Sequence, residues 1–384
     1  MNPTAFTIGI LGGGQLAKMS AQEAKKLGFN VIVLDPTPSC PASMVAEQIV
    51  GRFDDADRIF ELAERSDVLT YDIESVNVEA LKQLVKEKPV IPSPKVLEII
   101  QDKLIQKKVL KKAGVPVPWF KEIKSLDELE NLVPVVQKAR KGGYDGRGVV
   151  VLRSKEDFPK ILKVPSYVEE LVEIEKELAV IVVRDEDGNM EVYPVVEMIF
   201  NSRGNLLDML LAPARIDVGI SEEVQEIALK AVKALGGVGV FGVELFLAKD
   251  GRVLVNEIAP RPHNSGHYTI EACATSQFEQ HIRVLTGLPL GSAELLTPAV
   301  MINLLGEEGY YGKPIYEGLK KGLEIPGVYV HIYGKRETFP FRKMGHVTII
   351  DRSLDRAIEK ARRLKSILKV RGERYEAVGR DNNG

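Results

Sequence analysis

The chain has 384 residues, 45% of them apolar and 28% charged, with a formal net charge of −2. That length allows two or three domains with full cores, and the near-neutral balance argues against a large nucleic-acid surface. Two cysteines, Cys40 and Cys273, are too few for a disulfide framework and suit a reducing compartment; without a membrane-length apolar run or a signal-peptide pattern, a cytoplasmic protein with no membrane contact is expected.

Residues 6–11 read as a short apolar strand, followed by Gly12-Gly13-Gly14-Gln15-Leu16-Ala17 and a helix to about Leu27. Val31–Leu34 is a second buried strand, ending at Asp35. This is a βαβ start with a G-x-G-x-x-A turn and an acid about 20 residues on, the dinucleotide pattern. Such a turn offers backbone N–H groups to any anion, or it only lets a strand turn tightly into a helix. Helix 55–65, strand 67–71, helix 77–86 and a strand at Val90-Ile91 continue the alternation. They predict a parallel sheet covered by helices. Tyr71-Asp72-Ile73-Glu74 falls just past the carboxyl end of the 67–71 strand, the edge where open α/β sheets bind ligands.

One helix is predicted from Pro94 to about Lys112, stopped by the prolines of Ala113–Pro118. Leu104, Ile105, Val109 and Leu110 fall at helical spacing, which makes most of its lysines a solvated face. A smaller region follows. A strand over 133–138 carries Lys138 at its end, and Val149–Leu152 is the next strand. Between them lie Gly142, Gly143, Tyr144, Asp145, Gly146, Arg147 and Gly148. A glycine-rich loop can lay N–H groups over phosphates, or serve as a flexible hairpin. The charges inside this one favour function. Ser166–Val172 is a further strand. Residues 176–184, 190–200 and 207–212 read as antiparallel strands, the first pair turning at 185–188, before a helix over 221–235.

Two β-rich runs then flank Asp250-Gly251, a strong hairpin signal. A two-residue turn there pairs position i with 501 minus i, and so sets Glu244 opposite Glu257. Directly opposed side chains lie about 5 Å apart, so the two carboxylates repel unless a cation joins them. Mg²⁺, held by one or two carboxylates plus phosphates, is the simplest resolution; two exposed glutamates are the bland one. Val243, Leu245, Val255 and Ile258 around them indicate a buried hairpin. His263 and His267 offer a second possible metal pair. Helix 275–285, strands 299–305 and 328–333, the basic residues Lys335, Arg342 and Lys343, an amphipathic helix 354–367 and a polar tail complete the chain.

This order resembles the ATP-grasp superfamily. GGGQLAKM, GGYDGRG, NEIAPRPHNSGH and RKMGH are together similar to the 5-(carboxyamino)imidazole ribonucleotide synthetase family of purine biosynthesis, from about residue 8 to about residue 350. The resemblance implies a mixed α/β and α+β ATP-grasp fold. Its parts are an N-terminal Rossmann-like parallel-sheet domain (1–102), a small central lid domain (103–172) and a mostly antiparallel C-terminal domain (173–384). It implies a ligase that uses ATP, Mg²⁺ (Mn²⁺ as a substitute) and bicarbonate to carboxylate 5-aminoimidazole ribonucleotide through carboxyphosphate. Neither biotin nor NAD is expected, nor nucleic acid, and a homodimer is.

Residue by residue, the resemblance assigns Lys103 and Lys138 to the ATP phosphates and Gly142–Gly148 to the loop over them. Glu169, Glu170, Leu171 and Val172 match the segment that reads adenine through its backbone. Glu177 matches the ribose ligand, Asn256 lies beside the nucleotide, and Glu244 and Glu257 match the metal ligands. Gln15, Leu16, Glu74, Asn264, Lys335, Arg342 and Lys343 fall where ribonucleotide-using relatives hold substrate. Tyr144, Asp145, Arg147, Arg261, His263 and Lys335 match positions tied to bicarbonate, product or catalysis. Many superfamily members have an asparagine two residues after the second glutamate; here it is Ala259, so a third side-chain ligand is missing from the pattern.

The chemistry asks for such groups. Turning bicarbonate into carboxyphosphate needs the ATP phosphates neutralised, by lysines, a metal ion and loop N–H groups. Carboxyphosphate is water-labile and needs a closing lid, for which the glycine-rich loop is the candidate. Asp145 is either the group that orients or deprotonates the amine or a carboxylate paired with Arg147 and Lys141. Two other readings stay open. One is an ATP-grasp ligase of another substrate, such as a formate-using transformylase or a biotin carboxylase. The other is an NAD-dependent oxidoreductase or nucleotide-sensing module built on GGGQLA.

Overall fold

The computed structural model describes residues 2–142, 148–200 and 206–376. It opens on four strands, β1 (Thr7–Leu11), β2 (Asn30–Asp35), β3 (Glu47–Val50) and β4 (Val68–Tyr71), paired in parallel in the order β3-β2-β1-β4. The near-continuous apolar runs of β1 and β2 are what a sheet covered on both faces requires. β3 was not predicted, because EQIV contributes a single buried residue to the core. Helices α1 (Gln15–Lys26), α2 (Ala56–Glu64), α3 (Val78–Leu84) and α4 (Pro94–Gln101) surround this sheet. Asp55 and Asn77 start α2 and α3 by accepting from first-turn N–H groups.

The single helix expected over 94–112 is two. Asp102 leaves helical geometry (φ −113°, ψ 101°), and its carboxylate accepts from Leu104 N–H and Ile105 N–H to start α5 (Lys103–Lys112). The same carboxylate holds Arg140 at 2.6 Å. A cap with its own arginine partner outweighs continuing the helix, and Arg140 is too far along the chain to be seen locally. A small antiparallel sheet follows, from β5 (Phe120–Glu122), β6 (Val135–Ala139), β7 (Val149–Leu152) and β8 (Ser166–Glu170), in the order β5-β8-β6-β7. The glycine-rich segment is the β6–β7 hairpin loop. Gly142 and Gly148 at its ends take positive φ (76° and 74°), which glycine adopts freely. Gly143, Tyr144, Asp145, Gly146 and Arg147 lie outside the described residues.

The rest of the chain builds one large antiparallel sheet, a separate two-stranded sheet and the helices packed on them. Its elements, in chain order, begin with β9 (Ile174–Arg184), β10 (Met190–Val192), β11 (Val196–Phe200) and β12 (Leu207–Ala212). Then come α6 (Val218–Leu235), β13 (Gly239–Ala248), β14 (Val253–Ala259), α7 (Thr269–Ala272) and α8 (Gln277–Thr286). Last are β15 (Ala299–Leu305), β16 (Tyr310–Glu317), α9 (Leu319–Leu323), β17 (Val328–Ile332), β18 (Lys343–Ile350), α10 (Leu354–Ile367) and β19 (Lys369–Tyr375). The sheet runs β14-β13-β9-β11-β12-β15-β18-β17, with β10 beside β9. The strand expected over 190–200 is broken at Tyr193-Pro194-Val195, where proline lacks a ladder N–H. Of the expected polar tail, residues 369–375 are in fact β19, which pairs with β16; its outer residues are charged, so its pattern reads as polar. β18, carrying Lys343–His346 of the RKMGH stretch, is a further strand not expected from the sequence.

One apolar core cluster contains Ile8 and Ala21 of the first sheet layer together with Ile181, Leu210 and Ile282 of the large one. One face of the parallel sheet, with α1, is therefore packed against the large sheet. α6 covers the other face of β13 and β14 through Val224, Ala228, Ala231 and Val232. No helix among the described residues is long and apolar enough to cross a membrane.

Candidate active site

The β13–β14 hairpin sets the site, by a route the sequence argument missed. Its turn holds three residues, Lys249-Asp250-Gly251, because Ala248 N–H donates to Arg252 O at 2.9 Å and Gly251 takes φ 85°. Beside the turn Leu247 therefore faces Val253 and Leu245 faces Val255, one residue off the expected register. A bulge at Asn256 then restores it, and Glu244 stands opposite Glu257 as expected. The bulge also sorts the faces. Val253, Val255 and Ile258 all enter the α6 core, which a regular two-residue repeat forbids. Asn256 and Glu257 are left together on the opposite, open face, with Glu244.

Three lysines converge on that face. Lys103 Nζ donates to Glu257. Lys138 Nζ lies 2.7 Å from Glu169 and 2.8 Å from Asn256 Oδ1. Lys107 Nζ lies 3.0 Å from Glu169 and 3.0 Å from Val255 O. Lys107 is fully buried, so the solvated-face reading of the helix fails for it, while Lys108, Lys111 and Lys112 do face out. Glu169 sits between Lys107 and Lys138. Burial opposes its charge, but the two ammonium groups overcome this and hold its carboxyl down to about 2. Burial pushes Lys107 down to about 8 against the pull of Glu169, so it stays charged near neutrality. The side chain of Glu169 thus has a structural-electrostatic task of its own. Glu170 turns outward to Arg252 at 2.6 Å, Leu171 is partly exposed, and Val172 packs on Ala248 and Leu254.

Glu244 is desolvated and faces the charges of Glu257 and Glu177, which together push its carboxyl up to about 8; Lys103 and Lys343 pull the other way. Glu177 itself is pushed up to about 7 by burial. Glu257 is desolvated too, but Lys103, Lys138 and His263 outweigh this and keep it below the usual carboxylate range. Two neighbouring acids with opposite shifts are a carboxylate pair short of positive charge. Among the described residues no group of three or more His, Cys, Asp or Glu gathers as a metal cage. The donor set is that of an ion shared with phosphate oxygens.

A second group adjoins the first. Arg261 pairs with Glu74 at 2.9 Å. His263 Nε2 is 3.5 Å from Glu244, and its Nδ1 is 2.8 Å from Ser265 Oγ. Asn264 and Asn303 exchange amide hydrogen bonds at 3.0 and 3.2 Å. Lys335 Nζ donates to Lys343 O at 2.7 Å. Leu16 packs on Phe278 and Tyr333, and Gln15 starts α1 half-buried beside it. Arg342 turns away, over the Phe339 ring at 4.9 Å and onto Glu337 O. His267 is packed against Phe278 and His346, with Nδ1 against the Gln277 amide.

In the glycine turn the N–H groups of Gly13, Gly14 and Ala17 are taken by the chain's own carboxylates rather than left open to an anion. Gly13 N–H donates to Asp35 at 2.9 Å; Gly14 N–H and Ala17 N–H donate to Asp72 at 3.1 and 3.2 Å. The chain's own carboxylates occupy the place a phosphate takes in a dinucleotide fold, and burial pushes Asp72 up to about 7. Sequence reasoning also passed over Lys18. Its ammonium donates to Ile332 O at 2.9 Å and Tyr333 O at 3.2 Å, tying α1 to the segment before Lys335. A lysine one turn into an amphipathic helix gives no local signal of this.

Three family descriptions match the chain in order. They are the ribonucleotide synthetase preATP-grasp domain over residues 5–101, the ATP-grasp domain over 108–278 and the phosphoribosylaminoimidazole carboxylase C-terminal domain over 299–360. The N5-carboxyaminoimidazole ribonucleotide synthase of Bacillus subtilis is 40% identical over 363 residues, covering 92% of this chain and 93% of that protein. The chloroplastic phosphoribosylaminoimidazole carboxylase of Vigna aconitifolia is 43% identical over 363 residues, and the chain spans 64% of its length. Among solved structures, N5-carboxyaminoimidazole ribonucleotide synthetase from Thermotoga maritima superposes with a TM-score of 0.90 at 57% identity, covering 96% of this chain and 100% of that one. The Aspergillus clavatus synthase, in complex with ADP and 5-aminoimidazole ribonucleotide, gives a TM-score of 0.87 at 33% identity, covering 95% and 99%.

Proposed function

The chain belongs to the N5-carboxyaminoimidazole ribonucleotide synthase family, and from that membership we propose that it carboxylates the exocyclic amine of 5-aminoimidazole ribonucleotide in purine biosynthesis. ATP and bicarbonate are consumed; ADP, phosphate and the carbamate are formed. The observation that carries this reading is the Glu244–Glu257 pair, set across a bulge and ringed by Lys103 and Lys138, with Arg261 and His263 in the next loop.

Glu244 and Glu257 fit Mg²⁺, or Mn²⁺ in its place. When bound, the ion neutralises charge on the ATP phosphates and on the leaving ADP. Lys103 and Lys138 bind those phosphates, Lys138 being aimed by Glu169 and Asn256. A bicarbonate oxygen attacks the γ-phosphorus, and the bond to ADP breaks. Arg261 and His263 hold the resulting carboxyphosphate by charge-assisted hydrogen bonds. The amine nitrogen attacks its carboxyl carbon, phosphate leaves, and the amine gives up a proton. Glu74, Asn264, Lys335 and Lys343 orient the ribonucleotide, with Gln15 and Leu16 beside it. By the family match, Gly142–Gly148 is the loop that would exclude water, and Tyr144, Asp145 and Arg147, outside the described residues, are assigned to bicarbonate and the reacting groups.

Phosphate release with each reactant omitted in turn tests the assignment. Release should need ATP and a divalent cation and rise strongly with 5-aminoimidazole ribonucleotide. Equal rates with glycinamide ribonucleotide plus formate would overturn it.

A further inference from the structure

β14 is the last strand of the large sheet, with β13 on one side. An edge strand leaves backbone groups that must be paired or covered. Here α5 covers them with side chains. The Gln106 amide, almost fully buried, lies against Ile258: Nε2 donates to Ile258 O at 3.2 Å and Oε1 accepts from Ile258 N–H at 3.1 Å. Lys107 Nζ donates to Val255 O at 3.0 Å. Val255 N–H donates to Pro116 O at 2.9 Å. These contacts bracket Asn256 and Glu257, the two residues the bulge turns to the open face. Lys103, on the same face of α5 as Gln106 and Lys107, reaches Glu257 itself.

The placement of Glu257 depends on that bulge. Without it the strand keeps its two-residue repeat: in the phase of Val253 and Val255, Glu257 enters the α6 core and Ile258 leaves it, and in the phase of Ile258, Val253 and Val255 leave it. We propose that Gln106 is a positioning residue for the metal carboxylates: its amide takes the place of a neighbouring strand's peptide at Ile258, holding the bulge at Asn256 and Glu257 opposite Glu244. The inference rests on the metal reading of that pair given above. Glutamine suits the task because one planar group offers both donor and acceptor at the required reach. Leucine fills the same space and meets neither backbone group.

The test is Mn²⁺ binding, followed by the spin resonance of free Mn²⁺ in the presence of a non-hydrolysable ATP analogue. Wild type, Gln106→Leu and Glu257→Gln are compared, with melting curves and metal-free nucleotide affinity for each. Gln106→Leu should weaken Mn²⁺ binding by about tenfold or more, the usual effect of losing a group that orients a ligand, and leave metal-free nucleotide affinity unchanged. Glu257→Gln should weaken Mn²⁺ binding at least as much. If Gln106→Leu only lowers the melting temperature and binds Mn²⁺ as wild type does, the positioning role is wrong and the metal reading stands. If Glu257→Gln also binds as wild type does, the metal reading fails and this inference with it. Should the leucine variant not fold, Gln106→Met, close to glutamine in length and uncharged, removes both bonds to Ile258 with less change of shape. Wild-type Mn²⁺ binding by that variant overturns the proposal equally.

Discussion

Glu74 and Arg261 are separated by 187 positions and form an ion pair at 2.9 Å. The pair joins the carboxyl edge of the parallel sheet to the loop after β14, so the substrate residues proposed in the N-terminal region and the carboxylates of the large sheet address one region. Glu74→Gln should raise the ribonucleotide KM by about tenfold, equivalent to ~1.4 kcal/mol. A partly exposed ion pair contributes about 0–1 kcal/mol to folding, so the melting temperature should hardly move. Steady-state kinetics with a thermal melt checks this; a lower melting temperature with an unchanged KM would make the pair structural only.

Glu257→Gln should abolish turnover at ordinary Mg²⁺ while the fold is kept. Near-normal turnover of the variant at low Mg²⁺ would refute the ligand role. The metal has to displace a proton from Glu244, whose carboxyl is pushed up to about 8 by desolvation and the neighbouring carboxylates. Metal binding that releases a proton strengthens with pH. The Mg²⁺ concentration for half-activation should therefore fall as pH rises toward about 8, and titrations at several pH values measure it.

Lys343→Ala should raise the ribonucleotide KM more than about tenfold, or ~1.4 kcal/mol, with ATP affinity little changed. Lys343 also lowers the carboxyl of Glu244, so the variant's Mg²⁺ dependence should shift modestly as well. Loss of ATP binding with an unaltered ribonucleotide dependence would defeat this placement.

Glu169 bears on stability. Its folded carboxyl is held at about 2, below its ordinary value of 4.5, by Lys107 and Lys138 against the cost of burial. Between those two values the unfolded chain binds more protons than the folded one, so stability rises with pH there. This contribution is complete above the unfolded value and is lost as pH falls through the folded one. Glu169→Gln should flatten that part of the acid-unfolding curve. It should also cost about 3–5 kcal/mol at neutral pH, because two buried ammonium groups lose their carboxylate. Urea unfolding of both proteins at several acidic and neutral pH values measures each effect. Parallel curves would show that the triad carries no linkage.

The Asn256 bulge shows how far local reading goes. Asp250-Gly251 marked a hairpin and the glutamates faced each other, but the turn has three residues and the bulge compensates for the extra one. Two errors in register cancelled. The glycines at 12–14 marked a strand-to-helix turn correctly, yet the groups that fill its N–H donors, Asp35 and Asp72, stand 22 and 58 positions away from their partners.

The sequence by itself determined the alternation of strands and helices, the two-carboxylate hairpin, the glycine-rich loop between two strands and the order in which these occur. Each depends on interactions within a few residues: a repeat of two or 3.6, a turn residue or a proline. Only the tertiary structure decided that Lys107 is buried, that Gln106 closes the edge of β14 and that the glycine turn holds the chain's own acids. Gln106 meets Ile258 across 152 positions and Lys107 meets Val255 across 148. A side chain's partner at that separation is chosen by how the sheets pack, and no local pattern of residues encodes it.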